Sequence, residues 1–287
     1  MSFLYLHVKV IDIKTGKINQ LKVARQSDFG LYLSDKEENE VLLPNAYVTP
    51  FMQIGKAVDV FIYHDSENRL VASTLYPIAK LGEFGIMEVT DISSFGAFVD
   101  WGLPKELFVP IKYQKTPFKI GEKRVILVAL DELSGRLIGV ERFGKFLPKS
   151  QPKFTQNEKV ELFILAKTPL GFKVIINNRY EGVLYQNEIF ENLEIGSKKE
   201  GFVKKVRVDG KIDASLQPIG DSAELAAQTK VLEVLRKNGY KMPYNTKSSA
   251  EEIYEVFGIS KKSFKQVINN LQKEGLIRIT DNGVEMK

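Results

Sequence analysis

The chain has no cysteine and only two histidines, His7 and His64, among its 287 residues. Without thiols there are no disulfides, no thiolate zinc sites and no cysteine nucleophile, and a reducing, cytoplasmic compartment is expected. Neither histidine sits in an HExxH or Ser/His/Asp arrangement, and no close carboxylate pair accompanies a nucleophile, a phosphate-cradling glycine loop or metal-ligand spacing. No catalytic residue, metal or cofactor is therefore assigned, and a nuclease built from dispersed carboxylates is the one enzymatic class left open. Long apolar runs are missing too: no stretch approaches 18 uninterrupted apolar residues, so no membrane span is expected. The opening Met1–Lys9 lacks the basic start, long apolar core and small-residue cleavage site of a signal peptide.

What is present is repetition. Phe29-Gly30-Leu31-Tyr32-Leu33 returns 66 positions later as Phe95-Gly96-Ala97-Phe98-Val99. At the same offset Leu42-Leu43-Pro44 becomes Phe108-Val109-Pro110, and Ile54-Gly55 becomes Ile120-Gly121. A fainter third copy lies 75 residues further on, with Gly171, Val183-Leu184-Tyr185 and Ile195-Gly196. A unit of about 70 residues is too long for a solenoid repeat and suits a small barrel. The expected organisation is three modules, at residues 1–77, 78–147 and 148–217, followed by a distinct segment at 218–287. Their formal charges are −1, +1, +3 and +2, so basicity accumulates toward the C-terminal half. A modest basic bias fits a nucleic-acid partner as well as ordinary surface scatter.

Each module reads as short β segments punctuated by turn residues. In the second these are Ile86–Ile92, Ala97–Trp101, Glu106–Ile111, Arg124–Leu130 and Arg136–Glu141, five strands in some 60 residues, a pattern expected of a small barrel. The last two strands form a hairpin through residues 131–135, repeated at 65–68 and 208–210. Strict alternation would put Phe95 and Phe98 on opposite faces, so a bulge at Gly96 is expected to bring both outward, with Gly30 doing the same for Phe29 and Tyr32. Exposed adjacent rings are a platform for bases; buried, the same rings would be barrel core. Two basic clusters accompany the modules, Lys112, Lys115, Lys119, Lys123 and Arg124 in the second, and Lys198, Lys199, Lys204, Lys205 and Arg207 in the third. Such lysines neutralise phosphates or simply solvate a loop.

After residue 221 the period changes to helical. Ser222 is expected to cap a helix from Ala223 to Lys237, with Leu225, Val231, Leu232 and Leu235 on one side. A second helix starts at Ser248, with Glu251 completing a capping box, and presents Ile253, Val256 and Phe257. A third follows Ser260 with Phe264, Val267, Ile268 and Leu271 at i, i+3, i+4 and i+7. A closing hairpin turns around Asp281-Asn282-Gly283. Three helices and a wing form a winged helix-turn-helix. Its third helix turns Lys261, Lys262 and Lys265 outward, suited to a phosphate backbone, but carries no arginine for bidentate reading of guanine.

Ser94-Phe95-Gly96-Ala97-Phe98-Val99-Asp100, followed by Glu106-Leu107-Phe108-Val109-Pro110 and the Asp131…Arg136-Leu137-Ile138 hairpin, resembles the S1 RNA-binding domain. The resemblance implies an oligonucleotide-binding barrel whose two motif aromatics and a third-strand residue, often histidine, meet single-stranded RNA. Carried over, the face comprises Phe95 and Phe98 in the second module and Phe29 and Tyr32 in the first. Pro110 and Pro44 stand where the histidine would be. The third module has Tyr185 there, and Leu170 and Lys173 in place of the aromatics. The whole chain, most specifically Glu251-Glu252-Ile253-Tyr254-Glu255-Val256-Phe257-Gly258-Ile259-Ser260-Lys261-Lys262-Ser263-Phe264-Lys265 and the Leu43-Pro44 and Val109-Pro110 strand ends, is similar to the bacterial conserved virulence factor B family. This implies a noncatalytic RNA-binding protein acting on gene expression after transcription. The fold expected is three tandem S1-like OB-fold barrels followed by a winged helix. The candidate nucleic-acid contacts are Phe29, Tyr32, Phe95, Phe98, Lys112, Lys115, Tyr185, Lys204, Lys205, Arg207, Lys261, Lys262 and Lys265. Single-stranded RNA is the expected partner; a DNA-binding transcription factor led by the winged helix, and an adaptor on the translation machinery, are the other readings.

Overall fold

Alternation of apolar and polar residues builds three five-stranded sheets, seen in a computed structural model that describes residues 13–189 and 191–287. His7 and the rest of the opening segment lie outside the described residues. In barrel one, β1 (Ile18–Ser27), β2 (Gly30–Ser34), β3 (Glu40–Pro44), β4 (Ala57–His64) and β5 (Leu70–Ser73) close in the order β1-β2-β3-β5-β4. The alternate residues Leu21, Val23, Leu31, Leu33, Leu43, Val60 and Ile62 point inward and are buried together. A parallel contact of Leu42 with Val71 shuts the barrel.

Barrel two repeats this with β6 (Phe84–Ile92), β7 (Gly96–Asp100), β8 (Leu107–Pro110), β9 (Lys123–Leu130) and β10 (Leu137–Val140), hydrogen-bonded in the order β10-β9-β6-β7-β8. Here side chains close the gap. A Cβ on Gly139 would stand 2.6 Å from Val109 Cγ2 and 3.3 Å from Leu107 Cδ2, so β10 lies directly against β8. Barrel three consists of β11 (Lys159–Thr168), β12 (Gly171–Ile176), β13 (Tyr180–Tyr185), β14 (Lys198–Val206) and β15 (Ile212–Ser215), closed by parallel β13 and β15.

The expected bulge at the motif glycine is found on the facing strand. Gly30, Gly96 and Gly171 pair in regular register with Pro44, Pro110 and Tyr185. The register shifts lie between Val23 and Arg25, Val89 and Asp91, and Ile164 and Ala166. The glycines answer a different need, close approach of two backbones. A Cβ on Gly30 (φ +147°) would lie 2.0 Å from Leu43 O, and one on Gly171 (φ +136°) 2.0 Å from Leu184 O.

The winged helix contains α1 (Asp221–Lys237), β16 (Lys241–Met242), α2 (Ala250–Phe257), α3 (Lys261–Lys273), β17 (Ile277–Thr280) and β18 (Gly283–Met286), with sheet order β16-β18-β17. Several helix details differ from the sequence expectation. α1 begins at Asp221 with Gly220 in the N-cap position, placing Ser222 inside the first turn. Its buried positions are Ala227, Val231 and Leu235 at i, i+4 and i+8, while Leu225 is exposed. The cap of α2 is Ser249, boxed with Glu252, because the Ser248 hydroxyl is already accepting from Asn245 N at 3.1 Å in the preceding turn. Val256 also lies outward. The cap of α3 is Ser260, and Phe264, Val267, Ile268 and Leu271 are buried as their spacing requires.

The chain divides into two compact units between Pro148 and Lys149. In the first, barrels one and two share apolar core. β4 is buried on both faces: Val60 and Ile62 fill barrel one, while Phe61 and Tyr63 face outward onto Trp101 of barrel two, with ring centroids 5.8 and 6.4 Å away. In the second unit, the Asn157 side chain donates to Ile219 O and accepts from Ile219 N, tying barrel three to the start of the winged helix.

Candidate nucleic-acid interface

A repeated hydroxyl-stabilised turn displays the first motif residue of each barrel. Ser93 Oγ donates to Gly96 O at 3.1 Å and accepts from Phe95 N, and Ser27 makes the same pair of bonds to Gly30 and Phe29. Thr168 Oγ1 donates to Gly171 O in barrel three. The side chain at the tip is thrust into solvent: Phe29 is 74%, Phe95 78% and Leu170 67% exposed.

In barrel two the rest of the face is open. With Ala97 and Val99 inside, alternation turns Phe98 outward and half-buries it against Phe108, ring centroids 5.2 Å apart. Phe108 in turn packs against Gly96, where a Cβ would meet its ring at 2.7 Å. Phe95, Phe98 and Phe108 line a cleft of about 940 Å³ together with Pro110, Trp101 and the cations Lys105, Lys112 and Arg136. Phe108, Lys105 and Arg136 are not among the candidate contacts drawn from the sequence. The alternation of Leu107, Phe108 and Val109 carried the signal for Phe108, whereas nothing local marks the two cations. Burial, and then the neighbouring Arg136 charge, hold the Lys105 ammonium below its usual range. The same two causes, with Lys105 itself, lower His64 on the cleft wall. Lys115 lies elsewhere, its ammonium 5.0 Å from the Phe143 ring centroid.

Barrels one and three are partly closed by their own side chains. The Arg25 guanidinium covers the Tyr32 ring at 3.6 Å and is clamped by Glu40 at 2.6 Å, leaving Phe29 as the uncovered ring. In barrel three, Tyr185 OH accepts from Arg207 Nη2 at 2.6 Å and donates to Asp213, which also pairs with Arg207. Lys204 pairs with Glu188, Lys198 with Glu161 and Lys199 with Glu191; Lys205 is exposed. Much of this basic cluster is therefore neutralised internally.

On the winged helix, Lys262 and Lys265 are exposed along α3, and Lys261, at its first turn, is partly covered. The same helix has Gln266 and Asn270, amides able to read base edges, but both donate to the Glu224 carboxylate of α1. An acid fixed there repels a phosphate backbone. Among the described residues no helix is long and apolar enough to cross a membrane.

Comparison with known proteins agrees with this architecture. The S1 domain family model matches residues 15–75, and that of the CvfB-like winged helix domain matches 229–286. These families, a nucleic-acid-binding barrel and a winged helix, are typically non-enzymatic. The chain is 29% identical to the YitL protein of Bacillus subtilis, over 92% of this chain and 91% of that one. It is 23% identical to conserved virulence factor B of Staphylococcus epidermidis, over 92% and 83%. A solved multidomain protein with nucleic acid binding domains from Streptococcus pneumoniae is 25% identical, with coverage of 95% and 98% and a TM-score of 0.40. With an S1 domain at one end, a CvfB-like winged helix at the other and relatives along nearly its full length, the chain is similar to the conserved virulence factor B proteins over both its barrel and winged-helix parts.

Proposed function

We propose that this chain is a noncatalytic, cytoplasmic RNA-binding protein that regulates gene expression after transcription, gripping single strands on its barrels with added contacts from the winged helix. The observation that supports this most is the open face of barrel two, where Phe95 and Phe98 border one cleft with Lys112. Outward rings beside cations suit unpaired bases joined by phosphates, since every base offers a stacking face whatever its sequence. The duplex-DNA reading draws on Lys262 and Lys265, but the Glu224 carboxylate bound to Gln266 and Asn270 counts against insertion of α3 into a groove. The module boundaries at 77/78, 147/148 and 217/218 belong to the same proposal.

The test is fluorescence anisotropy of the full chain against matched single-stranded RNA, single-stranded DNA and duplex DNA across a salt series. Tighter binding to RNA single strands than to either DNA is expected. Replacing both Phe95 and Phe98 by Ala should weaken RNA binding by about tenfold or more, given roughly 1–3 kcal/mol per stacked base. An unchanged affinity in a folded double variant, or a preference for duplex, would refute the reading.

A further inference from the structure

We infer that barrel one supplies the second wall of barrel two's binding site, so that the cleft between them is a composite site for an unpaired nucleotide and its phosphate. This rests on the reading of barrel two as a single-strand-binding face and adds to it a second module and a definite occupant. Barrel two lines the cleft with Phe98, Phe108 and the buried Trp101; barrel one adds the buried Tyr63 and, from the β4–β5 hairpin, His64 and Ser66, the residues of the second wall.

That wall is fixed in place. Lys105 Nζ, from barrel two, donates to His64 O at 2.9 Å and Asp65 O at 2.6 Å. The hairpin itself is held by Asp65, whose carboxylate accepts from the backbone N–H groups of Glu67 and Arg69 and from the Arg69 side chain. Across the apolar seam, Phe61 and Tyr63 meet Trp101 edge-on. Hydrogen bonds and ring contacts thus tie the two walls together.

Charge and shape select the occupant. Lys105, Lys112 and Arg136 border the cleft together with the acids Glu106 and Asp131, so cations outnumber acids there. An anion that also presents a flat ring satisfies both the cations and the phenylalanines. The volume, about 940 Å³, falls in the range of clefts that take a small ligand. Lined by both barrels, it suits a splayed single-stranded base, whose exposed face can stack on the phenylalanines. His64 Nδ1, buried without a hydrogen-bond partner among the described residues, leaves a polar group unsatisfied on this wall.

Ser66 is the residue to test, because it is exposed, lines the cleft and makes no side-chain hydrogen bond among the described residues. Full-length Ser66→Glu should bind a labelled single-stranded oligouridylate about tenfold more weakly than the wild type, and Ser66→Lys several-fold more tightly, a gain that misfolding cannot imitate. Lys36→Gln, an exposed change of equal charge outside the cleft, is the control and should have little effect. The chain's single tryptophan, Trp101, sits in the cleft, so its fluorescence should change on RNA binding in the wild type and less in Ser66→Glu at the same RNA concentration. If Ser66→Glu and Ser66→Lys behave like the control while Phe95→Ala with Phe98→Ala loses binding, the composite site is wrong and the barrel-two face stands. If neither set changes affinity, the barrel-two reading itself falls, and this inference with it.

Discussion

Gly30 and Gly171 occupy positions where the backbone of the next strand leaves no room for a side chain. A Cβ would lie 2.0 Å from a carbonyl oxygen in each case, at a positive φ that L residues avoid. Gly30→Ala is therefore expected to destabilise the first unit by about 2 kcal/mol or more, read from urea unfolding followed by Trp101 fluorescence. An unchanged midpoint would show that the strands can part at no cost. His64 provides a second test at this scale. Burial and the Lys105 and Arg136 charges depress its folded-state pKa below the ordinary 6.5, outweighing the opposing Asp65 carboxylate. The folded state then binds fewer protons than the unfolded one, so stability is fully present above about pH 6.5 and falls as pH drops toward the folded-state pKa. Between pH 7 and 5.5 the unfolding midpoint of the first unit should decrease, and His64→Gln should flatten that decrease; an equal decrease in the variant would assign it to other groups.

The repeated element shows most clearly how far sequence reading carries. The offsets of 66 and 75 residues identified equivalent turns, and the structure places Phe29, Phe95 and Leu170 at equivalent tips. The mechanism assigned to the glycine was different, because a register shift shows as an extra residue without revealing which of two paired strands holds it. Capping was read one residue early at Ser248 for a related reason: adjacent serines are equivalent until the Asn245 turn engages one of them. The three barrel faces are also unequal in a way the motif hides. Since Arg25 covers the Tyr32 ring, Tyr32→Ala should reduce RNA affinity by a smaller factor than Phe98→Ala, measured side by side in the full chain. Equal losses would mean that RNA displaces the guanidinium.

For the whole molecule, the net charge of +5 overstates the number of cations ready to meet phosphate, since much of the barrel-three cluster is paired with its own acids. On single strands each neutralised phosphate contributes about −0.7 to the slope of log affinity against log salt. A short RNA held only by Lys105, Lys112 and Arg136 should therefore show a slope near −2, and a longer one also engaging Lys205, Lys262 and Lys265 a slope near −4. A steep slope already present with the short RNA would mean that the internal pairs open on binding.

The sequence by itself determined the number, order and kind of modules, because turn residues, alternation and helical spacing are local properties that each segment expresses wherever it lies. It also marked the outward rings Phe95 and Phe98, through their place in a repeated motif. Which faces remain open was decided only in the tertiary structure. Arg25 and Glu40 are 15 residues apart, Lys204 and Glu188 are 16, and Tyr185 and Asp213 are 28. Lys105 joins barrel two to a hairpin some 40 residues earlier. Pairing between charges so far apart depends on which strands the barrels bring side by side, and the identity of a lysine says nothing about whether an acid will be waiting for it.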